Sequence, residues 1–274
     1  AEQIEKGVYR QIMLVHFHGR GRQLLGSFYA EGRNAQLRQG IVRGRSALLF
    51  VAGVRSYRLH VEKVKFMQDA GFSRVVLARE LSLEQIRAIA QQTDVELEFF
   101  IHGALCVSYS GQCYISHAVT GRSANRGECA QLCRVPCTLE TREGAAIAKD
   151  QHLLSLKDMN QTVNLQALAE AGISSFKIEG RLKDLSYVKN VTAWYRQKLD
   201  AIIEGQPQWQ RASVGKSRYT FTPKPEKSFN RGSTDYFLHG RQIPITSFLT
   251  PKYAGEPIGK ISRLGDKWLE VQSQ

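Results

Sequence analysis

Residues Glu98 to Cys137 read EFFIHGALCVSYSGQCYISHAVTGRSANRGECAQLCRVPC. The stretch opens as an apolar strand, passes His102 and Gly103, and then carries all five cysteines of the chain: Cys106, Cys113, Cys129, Cys133 and Cys137. Thiols this local imply shared chemistry, and four explanations compete. Disulfides suit small secreted scaffolds, whereas this chain has 274 residues, an odd cysteine count and no apolar signal segment at its start. Structural zinc favours paired Cys-x-x-Cys knuckles, and the spacings here do not supply them. An iron–sulfur cluster needs three or four thiolates brought together in space and tolerates varied spacing, so it suits the pattern better. Unrelated free thiols would fit a scattered set. Backbone N–H groups near Gly111 and Gly127 can hydrogen-bond cluster sulfurs. Cys129 and Cys133 are four apart, which predicts one helical turn carrying both, ended by Pro136.

The residues on either side alternate between two periods. Val61 to Ala70 predicts a helix stopped by Gly71. SRVVLARE, from Ser73, predicts a strand with Val75, Val76 and Leu77 buried. Ser82 with Gln85 three residues later is a capping-box start for a helix whose apolar face is Leu83, Ile86, Ile89 and Ala90. Val95 to Ile101 is the next strand. Beyond the cysteines, Leu153 to Leu156 predicts a third strand, Leu165 to Ala171 a helix and Ser174 to Ile178 a fourth strand. Leu185 to Glu204 predicts a long helix with Val188, Val191, Trp194, Tyr195, Leu199 and Ile202 inward, ended by Gly205 and Pro207. Helix and strand at short spacing predict an α/β fold with a parallel sheet or barrel.

The segment resembles the collagenase-like peptidase family of unassigned catalytic type. The resemblance rests on Glu98, the strand Phe99 to Ile101, HGALC at His102 to Cys106, SGQC at Ser110 to Cys113 and GECAQLC at Gly127 to Cys133. It continues through LLSLKD at Leu153 to Asp158 and FKIEGRLKDLSYVKNVTAWYR at Phe176 to Arg196, covering roughly residues 61 to 250. Within the family the chain is most similar to the branch that hydroxylates cytidine in 23S ribosomal RNA. The resemblance implies a barrel-like fold, a cysteine-bound iron–sulfur cluster of the 4Fe-4S type held by Cys106, Cys113, Cys129 and Cys133, and prephenate as hydroxyl donor. Cys137 falls where the family pattern has no cysteine. Peptidase activity is the older family label.

Barrel enzymes place their chemistry at the C-terminal ends of strands. Arg79 and Glu80 end one strand here, His102 the next, Lys157 and Asp158 the third, and Lys177, Glu179 and Arg181 the fourth. Arg79, Lys157, Arg181 and Lys177 are expected to hold donor carboxylates or RNA phosphate. Glu80 and Glu179 are expected to act as acid, base or orienting groups, with His102 as a further catalytic candidate. The competing expectation is that Lys177 and Glu179, on one face of a strand, pair with neighbours, and that His102 is a hydrogen-bonded packing residue. Arg122, Asn125 and Arg126, between the cysteine pairs, are candidates for phosphate contact or for shielding an anionic cluster.

The ends of the chain differ from its middle. Residues 1–60 set Lys6 and nine arginines against three glutamates, with repeated Gly-Arg pairs. They are expected to be a damaged or truncated barrel start, ahead of an RNA-binding arm or a misread frame. Within them, residues 47–54 predict a strand, and His16 and His18 are expected to be exposed. Residues 61–205 are expected to form the barrel portion and 206–230 a linker. Residues 231–274 should begin a small β domain, with a hairpin through Gly265-Asp266. The fold expected is thus a partial TIM-like (β/α) barrel followed by an incomplete small β domain, on a chain that can be an inactive fragment.

Net charge is +13, from 38 basic and 25 acidic residues, which favours a polyanionic partner such as RNA. No apolar run approaches the about 18 residues a membrane span needs, and clustered thiols suit a reducing cytoplasm. The function expected is an RNA-modifying, iron–sulfur-dependent hydroxylase. The alternatives are a peptidase and a non-catalytic RNA-binding protein with a structural metal.

Overall fold

The computed structural model describes residues 10–14, 57–180, 182–211, 215, 217–248, 252–253 and 258–273. The expected barrel start in residues 1–60 therefore lies largely outside the described residues, as do residues 47–54, His16, His18 and Arg181. A seven-stranded mixed sheet carries the α/β architecture. Its order is β8 (Trp209–Arg211), β1 (Arg10–Leu14), β7 (Ile173–Ile178), β3 (Glu96–Ala104), β6 (Asp158–Asn160) and β9 (Ser233–Thr234), with β2 (Arg74–Val76) pairing the first half of β3. All neighbours are parallel except β3 and β6.

Among the described residues the strands do not close into a barrel, and the antiparallel β6 departs from the purely parallel sheet that the sequence predicts. The third expected strand is the reason. Leu153 to Leu156 is apolar enough to read as a buried strand. Instead Ser155 N–H donates to His152 O in a turn, and Leu156 makes only an isolated bridge to Thr246. The ladder starts two residues later, at Asp158.

The remaining elements follow their periodicity. Helix α1 (Tyr57–Asp69) ends before Gly71, which takes φ +87°. Helix α2 (Leu83–Ala90) has the full capping box, Ser82 and Gln85 each bonding the other's main chain. Helices α4 (Leu165–Glu170) and α5 (Leu185–Gly205) complete one face; α3 (Ile115–Thr120) lies in the cysteine loop. Val64, Ile86, Leu168, Val191, Tyr195 and Leu199 from the helices bury against Val75, Leu97, Phe99, Ile101 and Phe176 of the sheet. Alternate strand residues point the other way. There Val76, Phe100, Leu105, Leu156, Met159 and Tyr236 form a second, smaller cluster.

Two hairpins stand apart from the sheet. One, β10 (Gly259–Leu264) with β11 (Leu269–Ser273), is the expected hairpin through Gly265-Asp266. The other, β4 (Cys137–Glu140) with β5 (Ala146–Gln151), has no counterpart in the sequence prediction. Its strands are almost wholly exposed, so no buried apolar alternation announces them.

Candidate functional site at the C-terminal ends of β3 and β7

Strand β3 delivers the chain to the site under tight restraint. Its ladder with β7 is irregular between Phe100 and His102. Phe100 faces the smaller cluster, whereas His102 turns beneath α5, its ring edge-on to Tyr195 at 5.4 Å. His102 Nδ1 shares a 3.1 Å hydrogen bond with Tyr195 Oη. Burial, reinforced by the charge of Lys183, lowers its pKa from 6.5 to about 4, so the ring is neutral at neutral pH. Gly103 then presses on Glu179: a Cβ at Gly103 would stand 2.7 Å from Glu179 Cβ, and the backbone there has φ +109°. Glu179 N–H donates to His102 O at 2.8 Å, and Tyr187 Oη donates to Glu179 O.

Six residues outside the thiols tether the loop that follows. Glu80 accepts from Ser110 N–H at 2.7 Å and from Ser110 Oγ at 2.9 and 3.1 Å, fixing the turn before Cys113. Arg79 donates to Ala104 O and lies over the Phe100 ring. Arg134 reaches back to donate to Leu105 O, Leu156 O and Ser155 Oγ at 2.7 to 2.8 Å. Asn125 Oδ1 accepts from Cys113 N–H, Ser116 Oγ accepts from Ala130 N–H, and His152 Nδ1 bonds Arg134 O.

All five cysteines are free and half-buried. Burial pushes the Cys106 thiol up, and Cys113 and Cys133 act on it as neighbouring charges. Burial likewise pushes Cys133 up, with Cys129 and Cys113 as its thiol neighbours. Cys106, Cys113 and Cys133 thus lie within electrostatic reach of one another, and Cys129 lies within reach of Cys133. The Cys137 thiol donates to Val135 O at 3.7 Å. Cys129 Sγ also accepts an N–H from Gln131, whose backbone is left-handed. The four sulfurs do not converge on one point: among the described residues no three His, Cys, Asp or Glu donors form a metal-binding group. The helical turn expected for Cys129 and Cys133 is replaced by a loop and a short 3-10 turn at Leu132–Arg134, ended by extended Val135 before Pro136.

A buried charge cluster adjoins the thiols. Asp158 pairs with Arg231 at 3.0 Å, both nearly inaccessible. Lys183 lies 3.1 Å above the Phe229 ring, with Arg231 over the same ring at 4.6 Å. Burial lowers the Lys183 pKa to about 8, Asp158 and Glu179 opposing the shift and Arg231 and Arg134 adding to it. Arg134 is depressed by burial and Arg231 and sustained by Cys133, Asp158 and Cys106. One patch therefore holds Cys106, Cys133, Arg134, Asp158, Lys183 and Arg231, with Glu179 at its edge.

Several residues expected at the site have other occupations. Lys177 is 1 % exposed and pairs with Glu98 at 3.2 Å; Ser175 Oγ donates to the same carboxylate. It sits inside the sheet, which places it as a core ion pair rather than an anion-binding cation. Glu80 and Arg79 are anchors of the loop, and His102 is a packed, hydrogen-bonded ring. Arg122 and Arg126 are exposed in the loop, and Lys157 packs its methylenes on Gly232. Arg134, Lys183 and Arg231 went unrecognised in the sequence. Arg134 directly follows a cysteine, and Lys183 stands two residues past Arg181, but neither position announces burial.

The α/β sheet with a cysteine loop at its strand ends defines a class. The model described as Peptidase family U32 matches residues 54–246, and the chain belongs to that family. Among curated proteins it is 59% identical over 211 residues to a 23S rRNA 5-hydroxycytidine synthase of Escherichia coli, covering 77% of this chain and 32% of that protein. It is 42% identical over 144 residues to a tRNA hydroxylation protein of Bacillus subtilis, covering 50% of this chain and 34% of the relative. A collagenase of Porphyromonas gingivalis is 32% identical over 219 residues, covering 73% of this chain and 51% of the relative. The chain thus spans about a third to a half of the length of these relatives. No solved structure matches it. Among the described residues no helix is long and apolar enough to cross a membrane.

Proposed function

We propose that this chain acts as an RNA hydroxylase of the 23S rRNA cytidine type, with prephenate as hydroxyl donor and its sheet belonging to a (β/α) barrel. The observation that carries this reading is the neighbourhood of Cys106, Cys113 and Cys133, with Cys129 beside Cys133, next to the half-buried Arg134 and the buried Arg231. A set of four thiols is the donor chemistry of an iron–sulfur cluster. The N–H···S bond to Cys129 is the kind of contact that tunes such clusters. Cys106, Cys113, Cys129 and Cys133 would hold the cluster, with Cys137 outside the set. When bound, the cluster supplies electron transfer or a binding point for the donor.

The chain's own residues do the rest. Arg134, Arg231 and Lys183 give the patch a surplus of cations over Asp158, which suits a dicarboxylate donor. Lys183, with its pKa near 8, can hold or release a proton there. Glu179, its backbone held by Gly103 and Tyr187, acts electrostatically on Lys183 in the same patch. The net charge of +13 supports an RNA substrate, and the clustered free thiols suit a reducing cytoplasm.

The peptidase alternative needs a nucleophile with a base. Ser110 gives its hydroxyl to Glu80, and among the described residues it makes no hydrogen bond to His102, so the two do not form that pair. The test is anaerobic incubation with prephenate and a ribosomal RNA transcript. Gain of one oxygen atom on cytidine by mass spectrometry, lost in Cys106→Ser and Cys133→Ser and kept in Cys137→Ser, is expected. Cleavage of gelatin without RNA oxidation would contradict the proposal.

A further inference from the structure

We propose that the cleft between the cysteine loop and the segment following β9 is a nucleobase pocket, taking one unpaired base of single-stranded RNA against Tyr109 and Phe237 beside Cys106. The cleft has a volume of about 200 Å³. Val107, Leu156 and Ile245 make its apolar lining, and Tyr109, Tyr236, Phe237 and Arg241 supply rings and charge. Val107, in the lining, directly follows Cys106 in the chain. Tyr236 marks the same closeness from the other wall: its hydroxyl feels Glu80, Arg79, Cys106 and Tyr109.

The aromatic wall is built at a cost. Tyr236 has φ +59°, a left-handed conformation that a ring-bearing residue rarely adopts. The turn it makes is secured by its N–H to Thr234 Oγ1. It lays two consecutive rings face to face, Tyr236 and Phe237 at 3.9 Å and 13°. Tyr236 is buried, which leaves Phe237 as the half-buried outer ring. Across the cleft Tyr109 is 47% exposed, a large aromatic surface without a core to cover it. Arg241 joins the two walls, its guanidinium over Phe237 at 5.7 Å and donating to Tyr109 Oη at 3.1 Å, while the residue stays exposed.

Aromatic faces flanked by a guanidinium are how proteins hold splayed single-stranded bases, the rings stacking and the cation meeting the phosphate or a base face. A base drawn out of its stack needs a small pocket next to the reacting groups. The pocket rests on the RNA reading above, since the same rings can also accept an apolar peptide side chain. The exposed arginine and the chain's net charge of +13 favour the polyanion.

The probe is a single-stranded RNA oligonucleotide carrying pyrrolo-cytidine, whose emission falls when the base stacks. It is titrated into the full chain without prephenate. Quenching is expected with the native sequence. Tyr109→Ala should abolish the quench and weaken binding roughly tenfold. Arg241→Ala should weaken binding and its salt dependence, and Arg241→Lys should restore the salt dependence without the full quench. Both residues are exposed, and unchanged thermal melts establish that the variants fold. Unaltered quenching in Tyr109→Ala and Arg241→Ala, or displacement of the probe by a gelatin peptide, would overturn the proposal. Binding is read without chemistry, so a quench that persists without hydroxylation leaves the pocket standing and removes only the reaction assigned above.

Discussion

Strand β3 and the loop it feeds are consecutive in the chain and held by different physics. Seven of the nine residues of β3 are buried, flanked by β2, β6 and β7 and covered by helices on one face. From Cys106 to Cys137 only Ser110 and Ser116 are buried, and every helical or 3-10 piece is six residues or shorter. The strand is stable because apolar area leaves water. The loop keeps its shape through side chains that reach main-chain groups: Glu80, Arg134, Asn125 and Ser116. A region built this way can yield locally while the sheet stays folded.

The largest expected effect falls on the strand. Lys177→Met leaves Glu98 charged and buried without its ammonium partner. Breaking such a pair costs about 3–5 kcal/mol, measurable as a lowered urea midpoint. Adding Glu98→Leu should recover much of the loss. A neutral single variant would mean that Arg74, 3.6 Å from Glu98, carries the pairing alone.

Next is the pH dependence of His102. Its folded pKa of about 4 lies below its ordinary value of 6.5, so the unfolded chain binds the extra proton first as pH falls. Its contribution is fully present above pH 6.5 and is lost as pH drops toward 4, on the order of 3 kcal/mol. His102→Gln should flatten the pH dependence of the urea midpoint across that window. An unchanged slope would assign it to other groups.

On the loop side the effects are smaller and local. Glu80→Ala removes the acceptor of two donors, the Ser110 N–H and O–H, and should cost about 2 kcal/mol. Faster hydrogen exchange from Ser110 to Cys113, with β3 amides unchanged, is the expected signature. Exchange that quickens equally in β3 would erase the distinction between the two regions. The smallest expected effect is Ser82→Ala, which removes the cap of α2 for about 1 kcal/mol, read from thermal melting.

What the sequence disclosed follows the same division. Helices and strands with buried faces at period 3.6 or 2 are legible: Ile86 and Ile89, Val75 to Leu77, Val191 with Tyr195 and Leu199. The five thiols are legible as one cluster by their nearness in the chain, whereas the set of four rests on the family resemblance. The hairpin at Cys137 was not, because its strands bury almost nothing. The antiparallel turn of β6 was hidden because LLSL carries a strand's composition but bends at Ser155. Lys177 and Glu98 could have been paired in advance, since an acidic residue inside the apolar run VELEFFI requires a buried cation. Arg134, Lys183 and Arg231 were beyond sequence reasoning, because their burial depends on contacts between segments far apart in the chain.

The most direct measurement is iron, acid-labile sulfide and zinc per chain after anaerobic purification. Iron and sulfide in equal amounts, with little zinc and no loss in Cys137→Ser, is the result the arrangement of Cys106, Cys113, Cys129 and Cys133 predicts. A colourless protein holding zinc, or one in which removing Cys106 or Cys133 leaves the bound metal unchanged, would contradict it.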